Sequence, residues 1–267
     1  MDYYSPIDRA REVEHQVTVA MNETNEQSRW YYRSWSTHEK ISENETMNCK
    51  FRPTNYYGGS ACADVIGCNI DCVYCWVKDE NKRVNGGALL LSPQEVVDDL
   101  LKVADAKNYN IIRLSGGEPT LSRKHLMSIF KYLKEKNFTK KFILETNGIL
   151  LGYDSSYVND LRIYRDFLHV RVSLKGTTPK TFAINTGASP EFFGFQKKAI
   201  LNCLENEIDC HAVVMFDRIN TGEEIRQLVS SLREIGLTTP LEFERLFLYE
   251  HVVKRFEERD IPCEPSV

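Results

Sequence analysis

The chain has 267 residues, with 34 Lys and Arg against 38 Asp and Glu, a net charge of −4, and 42% hydrophobic residues. That is enough for one large domain or two small ones whose core needs no disulfide staples. The acidic balance tells against a non-specific nucleic-acid binder, and no run reaches the roughly 18 apolar residues of a membrane span. The charged start MDYYSPIDRAREVEH lacks the apolar stretch of a secretory signal, so a cytoplasmic protein is expected.

The charge is unevenly placed. Residues 1–27 hold six acids and two bases and so carry the whole −4. Within them Ser5-Pro6-Ile7-Asp8 has the form of a helix start, and a helix is predicted over 5–24 with Ile7, Val13, Val17 and Met21 as an approximate apolar stripe. Residues 28–58 interleave seven aromatics with five bases and three acids. That pattern fits either a hairpin or wrap over the open side of a barrel, or a surface that stacks and steers nucleic acid.

From about residue 60 short apolar runs alternate with amphipathic helices. Strands are expected at Cys62–Ile66, Ile111–Leu114, Lys141–Leu144, Leu168–Leu174, His211–Phe216 and Leu241–Leu248. Helix starts are legible at Ser92-Pro93-Gln94-Glu95, a capping box, at Ser189-Pro190-Glu191 and at Thr221-Gly222-Glu223-Glu224. Leu126, Ile129, Phe130 and Leu133 supply a helical stripe. Six strand–helix repeats mean parallel strands with crossover helices. The strands read as mostly apolar throughout, as when both faces are covered. The closure is an open doubly wound sheet or a partial barrel, with functional residues after the strands' C-terminal ends in either case.

Eight cysteines is the unusual count, and without an export signal they are better metal ligands or catalysts than disulfides. Three fall in Gly67-Cys68-Asn69-Ile70-Asp71-Cys72-Val73-Tyr74-Cys75-Trp76. Three thiolates in one tight loop suit a soft metal centre. Zinc in a closed site would want a fourth ligand nearby. An iron–sulfur cluster on three cysteines leaves one iron open.

Cys-x3-Cys-x2-Cys with an aromatic before the last Cys resembles the signature of radical S-adenosylmethionine (SAM) enzymes. The resemblance implies that Cys68, Cys72 and Cys75 hold one 4Fe–4S cluster whose open iron chelates SAM. It also implies that reductive cleavage of SAM yields a 5′-deoxyadenosyl radical that abstracts hydrogen from substrate. Such a protein is an oxygen-sensitive oxidoreductase served by a one-electron reductant such as flavodoxin or ferredoxin. The implied fold is an α/β (β/α)6 partial TIM barrel over 47–267, with an N-terminal helix and aromatic extension over 1–46.

Three further motifs follow predicted strands. Gly116-Gly117-Glu118 resembles the family's GGE motif, which binds the methionine ammonium. Glu145-Thr146-Asn147-Gly148 and Ser173-Leu174-Lys175 resemble the acid-Thr-Asn-Gly and Asp-Leu-Lys of glycyl-radical-activating enzymes, of the pyruvate formate-lyase activating type. The resemblance implies SAM contacts for Glu145, Thr146, Asn147 and Ser173, and places Lys175 near substrate and the SAM carboxylate. Glu145 and Ser173 stand where those enzymes carry aspartates around a monovalent cation, which tells against that cation site here. Tyr74 is expected to face the adenine, Val213 or Val214 to pack its other face, and His251 to serve as a substrate-site residue. The other cysteines, Cys49, Cys62, Cys203, Cys210 and Cys263, have no cluster-like spacing and are read as ordinary thiols.

Substrate is left open between a protein glycyl site or other macromolecule and, because Trp76 follows Cys75 as in the tRNA wyosine-synthase branch, RNA or a modified nucleoside. The rival of another class is a non-catalytic iron–sulfur or zinc binding module.

Overall fold

A computed structural model describes residues 3–22, 29–33, 37–42, 45–79, 88–216 and 221–262, the side chains of 16–22, 37–49 and 216 excepted. Val17, Met21, Trp35, Cys49 and Cys263 therefore lie outside the described side chains. Six parallel strands run side by side in chain order: β5 (Ser60–Val65), β7 (Ile111–Gly116), β8 (Lys141–Thr146), β9 (Leu168–Leu174), β10 (Asp209–Phe216) and β11 (Glu242–Arg245). The sheet is open, as expected of a partial TIM barrel.

Helices cross between the strands: α2 (Pro93–Ala106), α3 (Arg123–Glu135), α4 (Ile149–Tyr153), α5 (Ser155–Leu161), α6 (Pro179–Thr186), α7 (Phe193–Glu205) and α8 (Gly222–Glu234), with α9 (Glu250–Glu258) after β11. The capping box at Ser92 forms: its hydroxyl accepts from Glu95 N, and the Glu95 carboxylate accepts from Ser92 N. α4, α5 and α6 are too short to show a period in sequence. Ser189-Pro190-Glu191 begins a 3-10 turn that leads into α7.

Two sequence expectations change. β11 stops at Arg245 instead of running to Leu248; its last described ladder pair is with Phe216 of β10. β9 is not apolar throughout. Leu168, Val170, Val172 and Leu174 are buried without exposure, whereas His169, Arg171 and Ser173 alternate with them and point to the barrel interior.

The N-terminal segment joins the same sheet. β1 (Trp30–Arg33) lies antiparallel between β5 and β6 (Ala88–Leu91), and β4 (Arg52–Thr54) also pairs with β5. β2 (Thr37–Ser42) and β3 (Glu45–Cys49) form a separate hairpin. Trp30 donates its indole N–H to Ile66 O at 3.1 Å, and buried Tyr32 shares a 2.9 Å hydrogen bond with His125. Residues on either side of the boundary expected at 46/47 thus share one sheet and one core. α1 (Pro6–Asn22) buries Ile7 and Ala10. No helix among the described residues is long and apolar enough to cross a membrane.

Candidate active site

The loop after β5 carries Cys68, Cys72 and Cys75, and α9 holds it from outside. Arg255, 4% exposed, donates to Cys75 O at 2.5 Å, Val77 O at 2.7 Å and the Asp79 carboxylate at 3.1 Å. His251 Nε2 lies 2.9 Å from Trp76 O, and Arg259 donates to Asp71 at 2.6 Å. Four-residue spacing puts these three side chains on one face of α9. His251 does not line the cavity described below. Where the sequence reading expected a substrate-site residue, its hydrogen bond in the structure is to the cysteine loop.

The glycines after β7 are fixed by backbone contact. A Cβ on Gly117 would stand 2.1 Å from Gly67 O, and one on Gly116 would meet Asp64 Cβ at 2.7 Å. Their close approach lets Gly117 N donate to Val65 O at 2.9 Å and Glu118 N to Gly67 O at 2.8 Å, stitching the cysteine loop to the Gly-Gly-Glu turn. Glu118 is buried and accepts from four groups: Thr120 N, Thr120 Oγ1, Thr146 Oγ1 and Asn147 N, at 2.5–3.0 Å. Burial raises its pKa while those donors favour the carboxylate. Asn147 donates in turn to Asn69 Oδ1 at 2.7 Å, so three motifs meet in one hydrogen-bonded network.

Inside the barrel Arg113 donates to Glu145 at 2.5 Å, and Tyr57 donates to the same oxygen at 3.1 Å. Burial opposes ionisation of Glu145, but Arg113 and Arg171 overcome it and hold its pKa below the ordinary value. Tyr57 reaches this position from a left-handed backbone, φ 60°, followed by Gly58 and Gly59. Arg171 donates to Glu242 and Glu244 at 3.0 and 2.7 Å. His211 links Glu242, at 2.9 Å, to His169, at 2.6 Å. Lys175 Nζ donates to Ser173 Oγ at 2.6 Å.

The cysteine loop, the Gly-Gly-Glu turn and the interior arginines open on a cavity of about 700 Å³ at the C-terminal ends of the strands. Cys68, Cys72, Cys75 and Tyr74 form part of its wall. Gly116, Gly117, Glu118, Glu145, Thr146, Asn147, Ser173 and Lys175 also line it. Val213 and Val214 do not. Both are buried in the sheet, and Met215 lines the cavity instead, two residues nearer the open end of β10. Arg52, Arg113, Arg171 and Glu242 were missed by sequence reasoning. Of these, the alternation in β9 hints at Arg171 alone.

The residues fit an iron–sulfur cluster with a SAM molecule. Three soft sulfur donors line a common cavity together with Gly116, Gly117 and Glu118.

The radical SAM superfamily profile matches residues 65–232. The chain belongs to the radical SAM superfamily. This family uses a 4Fe–4S cluster and SAM. The chain is 26% identical over 200 residues to a putative glycyl-radical enzyme activating enzyme of Methanocaldococcus jannaschii, covering 73% of this chain and 78% of the relative. It is 31% identical over 122 residues to a probable GTP 3′,8-cyclase of Thermoplasma volcanium, covering 46% of this chain and about a third (34%) of that relative. Among solved structures, Streptococcus suis SuiB bound to S-adenosylmethionine superposes with a TM-score of 0.56 at 16% identity, over 73% of this chain and 46% of that one. The structure of anSMEcpe with bound AdoMet gives 0.53 at 19%, over 68% and 47%. The chain thus spans about half the length of these radical SAM structures, and the likeness to them is one of fold.

The remaining described cysteines are buried away from the cavity. Cys62 donates to Asp64 at 3.4 Å, and Cys203 and Cys210 hydrogen-bond each other.

Proposed function

We propose that this radical SAM protein holds one 4Fe–4S cluster on Cys68, Cys72 and Cys75 and abstracts hydrogen from a substrate admitted at the open mouth of the barrel. The observation that carries the reading is that four motifs scattered over more than 100 residues all line one cavity. When bound, cluster and SAM supply the one-electron cleavage and the hydrogen-abstracting 5′-deoxyadenosyl radical. The chain's own residues orient and exclude. Gly116 and Gly117 let the backbone come close to the SAM methionine group. Glu118 holds Thr146 and Asn147 in place beside it. Lys175, tethered by Ser173, offers an ammonium to a carboxylate. Tyr74 gives the adenine an apolar surface.

Two substrate classes have support. A relative that aligns over most of both chains is named a putative glycyl-radical enzyme activating enzyme, which favours a protein substrate and a flavodoxin or ferredoxin as reductant. Trp76 and the GTP cyclase relatives favour a nucleoside or nucleotide. Anaerobic reconstitution followed by dithionite and SAM tests the reaction. About four irons per chain and 5′-deoxyadenosine are expected. No product from loaded protein, or full activity in the Cys68/Cys72/Cys75→Ala triple variant, overturns it.

A further inference from the structure

Two buried amides outside the sequence motifs close on Lys175. Gln196 of α7 is 0% exposed, Asn185 of α6 is 1% exposed, and neither lines the cavity. Gln196 Oε1 accepts from Lys175 N at 3.1 Å, and its Nε2 donates to Asn147 O at 2.6 Å and Ser173 O at 3.1 Å. Asn185 Nδ2 donates to Lys175 O at 3.0 Å. Lys175 lies one residue beyond β9, whose last ladder pair is Leu174 with Val214. Past the end of the ladder, side chains have taken over both of its backbone groups.

The bonds continue in both directions until they meet. Asn147 Nδ2 donates to Asn69 Oδ1 at 2.7 Å, and Val73 N donates to Asn185 O at 2.8 Å. Asn69 and Val73 both belong to the cysteine loop. The circuit therefore leaves that loop through Asn147, passes Gln196, Lys175 and Asn185, and returns to it. Its amides have only one orientation each. Gln196 Nε2 and Asn185 Nδ2 face carbonyl oxygens, which only accept, and Asn147 Oδ1 accepts from Ile149 N at 3.0 Å. Asn69 Nδ2 and Asn185 Oδ1 are left buried without a partner. That loss of stability is one a wall built only for packing avoids with apolar side chains.

A lysine ammonium rides on a flexible four-carbon stem, so its reach is set by where its backbone stands. Here the ammonium is bonded to Ser173 Oγ, a neutral acceptor that a carboxylate would outcompete. We propose that Asn185 and Gln196 are positioning residues of Lys175, tying its backbone to the cysteine loop and so fixing where its ammonium meets a carboxylate. This rests on the preceding reading in one respect: the carboxylate is taken to be that of SAM.

The test uses reconstituted protein without reductant, so that SAM binds and is not consumed. Acetylation of Lys175 by acetic anhydride, followed by mass spectrometry before SAM is added, reports the hold itself. Asn185→Leu and Gln196→Met should each speed it severalfold at unchanged iron content. Equilibrium SAM affinity reports the consequence. Lys175→Met should weaken SAM about tenfold, the loss of one charged hydrogen bond. Asn185→Leu should weaken SAM severalfold when Lys175 is present and leave it unchanged in the Lys175→Met background. If Asn185→Leu takes up no iron, Asn185→Asp changes a single group and serves in its place. Its ionised oxygen faces Lys175 O, and acetylation should again speed. Acetylation indifferent to the substitutions overturns the inference, and so does equal weakening of SAM with and without Lys175. Faster acetylation, with SAM affinity untouched by Lys175→Met, keeps the inference and removes the SAM carboxylate as the ammonium's partner.

Discussion

The carboxylate of Glu118 accepts the backbone N–H of Asn147 at 2.7 Å, and this bond joins the end of β7 to the end of β8. With Thr146 Oγ1 on the other oxygen, it makes two sequence motifs one rigid unit on the cavity wall. Replacing Glu118 by Ala leaves buried donors of Thr120, Thr146 and Asn147 without an acceptor. Each unsatisfied buried group costs about 1–3 kcal/mol, so a loss of at least about 3 kcal/mol is expected in denaturant unfolding. Glu118→Gln keeps the shape and one set of acceptors, and should cost less than half as much. Equal losses for the two variants would show that the network is not what Glu118 contributes.

Gly117→Ala tests the contact between the cysteine loop and the Gly-Gly-Glu turn. Its Cβ would lie 2.1 Å from Gly67 O, and the neighbour is backbone that cannot rotate away. Overpacking of this kind costs about 1–3 kcal/mol or more. The expected result is a lower melting temperature together with reduced iron uptake on reconstitution. Gly222→Ala, where an added Cβ meets only the Arg226 side chain at 3.7 Å, serves as the control that should keep both.

Arg113 and Glu145 form an ion pair with side chains 4% and 13% exposed. Removing one partner strands a buried charge, so Arg113→Met should destabilise by about 3–5 kcal/mol. The double variant Arg113→Met/Glu145→Leu should recover at least half of that loss. The pH sign follows from the depressed pKa of Glu145: its contribution is whole above the unfolded value of 4.5 and is lost as pH falls through the lower folded value. Acid unfolding of Glu145→Gln should therefore lack part of the change below about pH 4.5.

His169 titrates in a separate window. Burial first, then His211 and Lys141, lower its pKa from 6.5 to about 4. Between those values the unfolded chain binds the proton and the folded one does not, so stability falls as pH drops from 6.5 towards 4. With solvent screening of a partly exposed ring, the loss is about 1–2 kcal/mol. An NMR titration of the His169 ring should give a midpoint near 4. A midpoint near 6.5 would contradict the His169–His211–Glu242 chain.

Arg255 is the chief tie between α9 and the cysteine loop, through Cys75 O, Val77 O and Asp79. Arg255→Ala orphans two carbonyls and loosens the loop. Iron content after reconstitution should fall well below that of the parent, while the far-ultraviolet circular dichroism of the barrel is kept. Arg255→Lys, with a single nitrogen that cannot span three acceptors as the planar fork does, should restore only part of the iron.

The chain order of the strands and the chemistry of the site were legible in sequence because both depend on local pattern. Apolar runs and caps mark the parallel strands and helices α2, α3 and α8. Cysteine spacing, Gly-Gly-Glu and Glu-Thr-Asn-Gly mark the strand ends that carry the site. Tertiary structure decided what depends on partners far along the chain. β1 and β6 exist because strands 50 or more residues apart pair with each other. Val213 is core because the sheet buries it, and His251 is a brace because α9 packs on the cysteine loop. The arginines and glutamates of the barrel interior are ordinary charges in sequence, and only the side-by-side pairing of the strands brings them within hydrogen-bonding reach of one another. A side chain's type sets what it can do chemically, but the distance to its partner is fixed by the fold.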